Sequence, residues 1–269
     1  VTDLCSNETG VLWICSASGI TRLLYDSPIS VFDQRSGIEP NWPFAFVYNG
    51  KTHVISDGRI FAAEPRQTGM PARFSPVDIG LEGGTWTAIP TPTGILMDYI
   101  NQVIFRRPNG TQEVVLEGIN VQRLFPADAK SLSCVAIGDA EIGALKWNGE
   151  TWIECAERIP GVGFPSLAVS AKPGSIWIEL GVNRVARITF RDDQLQAKVY
   201  DDLPFSSSDW LNIGTIGTTI VIGTGSHRDL FFDEDLEAFV ERPDLTTMIT
   251  QAPQPVIRPY RDANGLIWA

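Results

Sequence analysis

A phrase of eight residues occurs three times along the chain and constrains the possible folds more than any other feature. It reads NETGVLWI at 7–14, AKPGSIWI at 171–178 and DANGLIWA at 262–269. Each copy is a turn-forming run that reaches a Gly and continues into apolar residues around a Trp. Recurrence of one phrase along a chain is the signature of a repeat architecture, in which each copy marks one structural unit.

Weaker copies of the phrase fill the intervals between the strong ones. They are VYNGKTHV (47–54), TPTGILMD (91–98), DAKSLSCV (128–135) and IGTTIVIG (216–223). The position of the Trp is called the repeat column here, and it holds Trp13, His53, Met97, Cys134, Trp177, Val221 and Trp268. Successive members lie about 37 to 47 residues apart, close to the period of four-stranded propeller blades.

The residues around each phrase have the pattern of strands. A tight turn and another apolar run follow it, as in SDGRIFAA or YINQVIFRR, and a third run comes next, as in QEVVLE at 112–117. One more run precedes it, as in FAFVYN at 44–49 and TWTAIP at 85–90. These runs are short, rich in Ile, Val, Phe and Trp, and bounded by Gly, Asn, Asp and Pro. Each period therefore predicts four strands, and the lack of a long 3.6-residue periodicity predicts almost no helix.

The count of periods predicts an all-β fold, a β-propeller of four-stranded antiparallel blades over residues 1–269. Six full periods run from VTDLCS to about Glu241, and PVIRPY and LIWA supply the first two strands of a seventh. Propellers avoid open sheet edges, and usually close by pairing strands from the two chain ends. A half-built seventh blade therefore leads us to expect a fragment of a longer protein.

Composition excludes some classes of function. The chain has 269 residues, a net charge of -11 and a pI near 4.7. Binding to nucleic acid needs clustered Lys and Arg, and no basic run occurs, so no nucleic-acid partner is expected. No stretch of about 18 apolar residues and no signal-like N-terminus appears in the sequence, so these residues are expected to be soluble as they stand.

The cysteines do not indicate a metal site. Cys5, Cys15, Cys134 and Cys155 have neither CxxC spacing nor histidines close by in the sequence, so neither a metal nor a cofactor is predicted. Small hydrophobic core residues are the favoured interpretation. A bridge between Cys5 and Cys15, expected on neighbouring strands, stays open.

The stretch NETGVLWICSASGITRLL resembles the repeat of regulator-propeller sensor domains. These are extracytoplasmic input modules of bacterial two-component and hybrid sensor kinases and of some diguanylate cyclases. In that family the Gly closes the turn between the first two strands of a blade, and the Trp fills the space between blades. The three full matches are Gly10 with Trp13, Gly174 with Trp177, and Gly265 with Trp268. Gly50 and Gly94 keep the turn without the Trp, and the fourth and sixth periods, with Ser131 and Thr218, depart further.

The resemblance implies a ligand sensor for carbohydrate or another small ligand, not itself an enzyme. It implies a periplasmic or extracytoplasmic location, with attachment to the inner membrane through the full-length protein. The partners implied are the remaining propeller and signalling domains of the same chain, a histidine kinase or cyclase among them, and a second copy in a homodimer.

The ligand site is predicted where the loops after the repeat-column strands and the connections between blades share one end of the propeller. Aromatic faces cover the CH surfaces of sugars, and Asp, Asn and Arg bind hydroxyls. A neutral or cationic ligand is favoured, because the acidic chain repels anions. The predicted ligand-binding residues are Trp42, Asp98, Tyr99, Asn101, Trp210, His227 and Arg228.

Two other functions stay as alternatives, a protein-interaction scaffold and a propeller lyase or glycoside hydrolase. An enzyme needs an acid or base held in a cleft. Of the two histidines, His53 falls in the repeat column and is predicted to be a core residue, and His227 has no evident catalytic partner. Trp147 and Trp152 flank one turn and are predicted to pack within a blade.

Overall fold

A computed structural model of the chain describes residues 3–6, 11–16, 19–24, 30–32, 34–38, 43–64, 73–80, 84–128, 130–163, 167–181, 183–201, 203–205, 211–216, 218–224, 227–242, 260–261 and 267–268. Over these residues the fold is built from strands, with one short 3₁₀ helix at Gln34–Ser36 and no α-helix. The contacts divide the chain into two compact units, the first formed by 1–124 with 149–152 and the second by 125–148 with 153–269.

The first unit contains three four-stranded antiparallel sheets. In strand order, the first sheet consists of β1 (Asp3–Ser6), β2 (Val11–Ser16), β3 (Gly19–Leu24) and β4 (Ser30–Phe32). The second consists of β5 (Phe44–Tyr48), β6 (Lys51–Ser56), β7 (Arg59–Ala63) and β8 (Phe74–Pro76). The third consists of β9 (Ala88–Thr91), β10 (Gly94–Tyr99), β11 (Gln102–Arg106) and β12 (Gln112–Glu117).

The second unit continues the same pattern. Its first sheet is centred on β14 (Ser133–Gly138) and β15 (Glu141–Trp147), flanked by β13 (Val121–Pro126) and β16 (Trp152–Glu154), with β17 (Ile159–Pro160) also paired to β15. The boundary between the units passes through β13 and β16. The next sheet consists of β18 (Leu167–Lys172), β19 (Ser175–Glu179), β20 (Val185–Arg191) and β21 (Gln194–Tyr200). The last sheets are β22 (Leu211–Ile216), β23 (Thr219–Thr224), β24 (His227–Asp233) and β25 (Ala238–Glu241), followed by the pair β26 (Tyr260–Arg261) and β27 (Ile267–Trp268).

Several neighbouring sheets within a unit meet through their first strands. In the first unit β5 contacts both β1 and β9, and in the second unit β22 contacts both β18 and β26. Consecutive blades of a β-propeller pack in this way, with the first strand of each sheet beside the first strand of the next. The sheets are therefore propeller blades, as the period of the sequence predicts, and the number of blades in the whole ring stays a prediction.

Both faces of the inner strands of these sheets are buried, which explains the continuous apolar runs around the repeat column. Successive residues of a strand point to opposite faces. Val54 of β6 packs into one core cluster with Ile20 and Phe61, and its neighbour Ile55 packs into another with Met97. In β19, Ile176 and Trp177 likewise belong to two different clusters. A sheet with a core on each side needs apolar residues at consecutive positions instead of simple alternation.

Every residue of the repeat column lies on the second strand of its sheet, so the repeat period is confirmed. Met97, Cys134, Trp177 and Val221 are buried, with at most 3% of each residue exposed. The side chains of Trp13 and Trp268 lie outside the described residues.

His53 departs from the prediction of a core residue. It is half-buried, stacks on Phe46 with ring centroids 5.2 Å apart, and donates from Nδ1 to the Lys51 carbonyl oxygen at 3.1 Å. Burial lowers the pKa of its imidazole, and the nearby Lys51 charge acts in the same direction. An imidazole needs a polar partner, and the carbonyl at the start of β6 keeps one edge of the ring near the surface.

Gly174 shows why the phrase contains a glycine. It lies in the turn between β18 and β19 with a φ of +71°, a left-handed conformation that side chains rarely adopt. A Cβ on this residue would come within 2.5 Å of the Phe190 carbonyl oxygen. The Phe190 amide donates to the Gly174 carbonyl oxygen at 2.9 Å, so the turn is held against the neighbouring strand. The predicted turn between the first two strands of the blade is present here. The equivalent Gly10 and Gly265 lie outside the described residues.

The interpretation of the cysteines as core residues can be compared with the structure at Cys134 and Cys155, whose side chains are described. Cys134 is buried and Cys155 is half-buried, and both are free thiols. Burial raises the pKa of each thiol, to about 11 for Cys155, so both stay protonated at neutral pH. Cys5 and Cys15 lie on the paired strands β1 and β2, opposite Trp13 and Asp3 respectively. Their side chains lie outside the described residues.

Candidate functional site

A cavity of about 300 Å³ lies in the first unit, at the turn between β10 and β11. Residues 98–101 of this hairpin line one side of it. Gly84 and Trp86, from the connection between β8 and β9, line another, and residues 120–122 at the start of β13 complete it. One hairpin turn and two connections between sheets therefore meet at this cavity. Its volume is at the lower end of the range for small-molecule sites, about 300 to 1,000 Å³.

Asp98 is a buried polar residue in the lining of this cavity. Only 3% of the residue is exposed. Its Oδ1 accepts hydrogen bonds from the backbone N–H groups of Trp86, at 2.8 Å, and Thr87, at 2.7 Å. The Asp98 amide donates in return to the Thr87 carbonyl oxygen at 3.2 Å. The carboxyl group thus ties the connection before β9 to the hairpin and holds Trp86 beside the cavity.

Burial raises the pKa of Asp98 to about 7. The hydrogen bonds from Thr87 and Trp86 and the charge of Arg123 lower the pKa, but burial outweighs them. Within the described part of the chain, backbone N–H groups bind the Asp98 carboxyl group and no Lys or Arg forms a salt bridge with it. Asp98 therefore changes charge near neutral pH, and among the described residues that line the cavity it is the one with a formal charge.

Aromatic and amide groups surround this carboxyl group. Trp86 is 42% exposed, and Tyr99 is half-buried beside it. Asn101 and Asn120 are exposed, and Gln122 is half-buried. The cavity combines a flat aromatic surface, amides that both donate and accept, and one titratable group. Such a set can stack on an apolar face of a small molecule and bind its polar groups at the same time.

The hairpin turn itself is strained. Ile100 and Asn101 both have positive φ, +36° and +61°, as a two-residue type I′ turn requires. Asn tolerates this conformation, but a β-branched residue is unfavourable there. Ile100 is also 63% exposed, so burial does not compensate for the strain. A costly residue at the edge of a cavity is a common feature of binding sites.

Replacing Ile100 by Asn is therefore expected to stabilise the protein by about 1 kcal/mol, because Asn relieves the strain of the left-handed conformation. The free energy of unfolding in urea measures the effect. Ile100→Val is the matched control, since Val is also β-branched and should give no gain. Equal stability of the Asn and Val variants would show that the turn is not strained at this position.

The structure places the predicted site residues in three groups. Asp98, Tyr99 and Asn101 line the same cavity. His227 and Arg228 belong to the second unit, and Trp42 and Trp210 lie outside the described residues. The structure therefore brings three of the seven predicted residues together at this cavity, and the other four are not among its described lining residues.

The prediction that these residues occupy loops is wrong in two places. Asp98 and Tyr99 are the last residues of β10, and only Asn101 is in the turn. His227 and Arg228 begin β24, because Thr224 of β23 pairs with His227 and leaves a connection of only two residues. Both hairpins are tighter than the sequence predicts, so strand pairing extends almost to the turn.

Trp86, Asn120 and Gln122 line the cavity but are absent from the predicted site. TWTAIP is predicted as one strand from residue 85, whereas β9 begins at Ala88. Residues 84–87 belong to the connection, and Trp86 is therefore exposed at the end where the loops meet. The prediction that connections and hairpin turns share one end would have identified Trp86 if the start of the strand had been placed correctly.

A smaller cavity of about 140 Å³ lies in the second unit, beside Trp177 and Phe232. Its charged groups already pair with one another. Glu234 binds Lys172 at 2.5 Å and Arg187 at 3.0 Å, and together they hold the pKa of Glu234 below its ordinary value against the effect of burial. These groups hold each other in place, and the cavity is small, so it is the weaker candidate for a ligand site.

Comparison of the sequence with known protein families and with curated proteins finds no match. Solved structures do match. Two are of the extracellular domain of a B. thetaiotaomicron protein, described in one as a one-component system and in the other as a hybrid two-component system. Their TM-scores are 0.65 and 0.63 at 8% and 9% identity, over 99% and 100% of this chain. This chain spans 36% of the length of each of those chains.

A third similar structure is of a protein from Bacteroides uniformis described as a 6-phosphogluconolactonase. Its TM-score is 0.61 at 10% identity, over 90% of this chain and 84% of that one. At such low identity these similarities show the fold alone. The chain thus has the fold of extracellular sensor domains and of a lactonase-like protein, and its function must be argued from its own residues.

Two further findings concern only the described residues. None of the helices there is long and apolar enough to cross a membrane. The same residues contain no group of three or more His, Cys, Asp or Glu side chains placed to hold a metal ion.

Proposed function

We propose that this chain is a ligand-sensing β-propeller module of a bacterial two-component or similar signalling protein, and that it binds a small ligand in the cavity around Asp98. The observation that carries the proposal is the composition of that cavity. A buried carboxyl group, an exposed indole and three amide side chains converge on about 300 Å³. The fold similarity to extracellular sensor domains supports the signalling role.

The ligand proposed is carbohydrate or another small polar molecule. The Trp86 and Tyr99 rings provide surfaces for stacking, and Asn101, Asn120 and Gln122 provide hydrogen bonds. No Lys or Arg is among the described lining residues, and the net charge of the chain is -11. A strongly anionic ligand is therefore disfavoured.

Binding without chemical turnover is the proposed activity. Hydrolysis of a glycosidic bond uses two carboxyl groups on either side of the bond. Of the lining residues that the structure describes, Asp98 alone has a carboxyl group and none is a histidine. A lactonase-like fold match alone does not supply such groups.

The signal would pass to other domains of the full-length protein, outside the cytoplasm and through attachment to the inner membrane. A homodimer and the remaining propeller and signalling domains are the partners proposed. These statements rest on the repeat motif and on the fold, and a test of the ligand site does not depend on them.

A thermal-shift screen with sugars, amino sugars and small amines tests the proposal. A true ligand at about 100 times its Kd should raise Tm by roughly 5 to 10 °C. Trp86→Ala and Tyr99→Ala should remove most of this shift, because each deletes one stacking surface. Thr218→Ala is the control, since Thr218 lines the smaller cavity and is exposed.

Two results would contradict the proposed function. One is a ligand whose affinity is unchanged in both Trp86→Ala and Tyr99→Ala but reduced in Thr218→Ala. The other is chemical conversion of the ligand by the purified protein, which would favour an enzyme.

A further inference from the structure

The buried carboxyl group of Asp98 lacks the partner that such groups usually have. Buried charges in proteins are paired with opposite charges or with several hydrogen bonds. Asp98 has two backbone hydrogen bonds, both accepted by Oδ1. In the part of the chain that the structure describes, no cationic side chain forms a salt bridge with it, although the charge of Arg123 acts on it from a distance.

The surroundings of Asp98 suit a cation from solution. The backbone N–H of Trp86 donates to the Asp98 carboxylate, so the two residues are held together. Trp86 is 42% exposed and lines the same cavity as Asp98. An indole face attracts cations through its negative quadrupole, and a carboxylate next to it adds direct charge pairing. None of the described lining residues carries a positive charge, and Arg123, which follows Gln122 in the chain, is not among them.

We infer that the ligand of this cavity carries an ammonium group, which pairs with the Asp98 carboxylate and packs against Trp86. The amides of Asn101, Asn120 and Gln122 then bind neutral polar groups on the rest of the ligand. Amino sugars have both features, an ammonium group and a set of hydroxyls, on a body small enough for the cavity. The inference rests on the proposed function, since it specifies the ligand class of the same site.

Three sugars that differ at one substituent test this inference. Glucosamine carries an ammonium group where glucose has a hydroxyl and N-acetylglucosamine has a neutral amide. Isothermal titration calorimetry at about pH 7 should show glucosamine binding about tenfold or more tightly than either neutral sugar, as expected for one added charge pair. Tetramethylammonium should compete with glucosamine, because it presents the charge without hydroxyls.

Asp98→Asn is the decisive variant, because its amide oxygen can still accept the N–H groups of Trp86 and Thr87. It should remove the preference for glucosamine and leave the affinities for the three sugars within about threefold of one another. Asp192→Asn is the matched control, since it deletes the same charge at an exposed turn of the second unit and should keep the preference. Circular dichroism before each titration confirms that both variants are folded.

The outcomes separate this inference from the proposed function. Equal affinity for glucose and glucosamine, or a preference that survives in Asp98→Asn, would overturn the inference. If a neutral ligand binds and is lost in Trp86→Ala, the proposed sensor site stands and only the ammonium inference fails. Failure of glucosamine and tetramethylammonium to bind at millimolar concentration also overturns the inference. Failure of every compound in the wider screen counts against the proposed function itself.

Discussion

Trp177→Ala is expected to lower the free energy of unfolding by about 3 to 5 kcal/mol, the usual cost of truncating a buried aromatic side chain. Only 1% of Trp177 is exposed. Its ring lies 4.4 Å from that of Phe232, 5.4 Å from that of Tyr200 and 5.5 Å from that of Phe239, measured between centroids. The variant would leave a cavity at the centre of this aromatic cluster, and urea denaturation measures the loss.

The neighbouring charges should add to this loss. The Arg187 guanidinium lies 5.4 Å from the ring centroids of both Trp177 and Phe232 and pairs with Glu234. Removing the indole takes away one of its two aromatic surfaces, although the ion pair can remain. Trp86→Ala is the control. Trp86 is 42% exposed, so removal of its side chain should lower the free energy of unfolding by less than about 1 kcal/mol. A loss below about 1 kcal/mol for Trp177→Ala would mean that the cluster does not need this ring.

The repeat could be predicted from the sequence because it reflects how each sheet is packed. The second strand of a blade has a core on each face, so its apolar run is continuous and its central residue is large or fully enclosed. Met97, Cys134 and Val221 fill the place of Trp177 with smaller side chains, and all of them are buried. Their variety explains why four copies of the phrase are weak although the period holds.

Strand boundaries near the site were harder to predict. Ala88 begins β9, but Thr85 and Thr87 before it are also fully buried. Alternation of buried and exposed residues therefore continues through Trp86, and the segment resembles a strand in sequence. What ends the strand pairing is the carboxyl group of Asp98, which binds two backbone N–H groups of this segment. A side-chain contact between distant residues leaves no periodic signal in the sequence.

The composition of the site was only partly predictable for the same reason. Asp98, Tyr99 and Asn101 follow a repeat-column residue and can be located by counting along the period. Asn120 precedes β13 and Gln122 lies at its start, where the repeat phrase sets no position. The burial of Asp98 also could not be predicted, since an Asp next to a turn is usually exposed.

Asp98→Asn is expected to stabilise the protein at alkaline pH, by up to about 4 kcal/mol relative to its effect in acid. In the unfolded chain Asp98 ionises near its ordinary pKa of 3.8, and in the folded protein near about 7. Between these values the folded protein keeps a proton that the unfolded chain has lost. Stability therefore falls as pH rises through this interval, and the cost is constant above it. Asn cannot ionise, so the variant escapes this cost.

The measurement is the free energy of unfolding of the variant and of the original protein, determined in urea at several values between about pH 4 and about pH 8. Contributions from other titrating groups cancel in the difference between the two proteins, so this difference should grow with pH as Asp98 ionises in the unfolded chain. It should level off above about 7, where Asp98 is ionised in both states. Asp192→Asn, at an exposed turn, should give a difference that stays nearly constant. A flat difference for Asp98→Asn as well would mean that Asp98 ionises in the folded protein as it does in the unfolded chain. Its hydrogen bonds from Trp86 and Thr87 would then outweigh its burial, and the carboxylate would need no cation from solution.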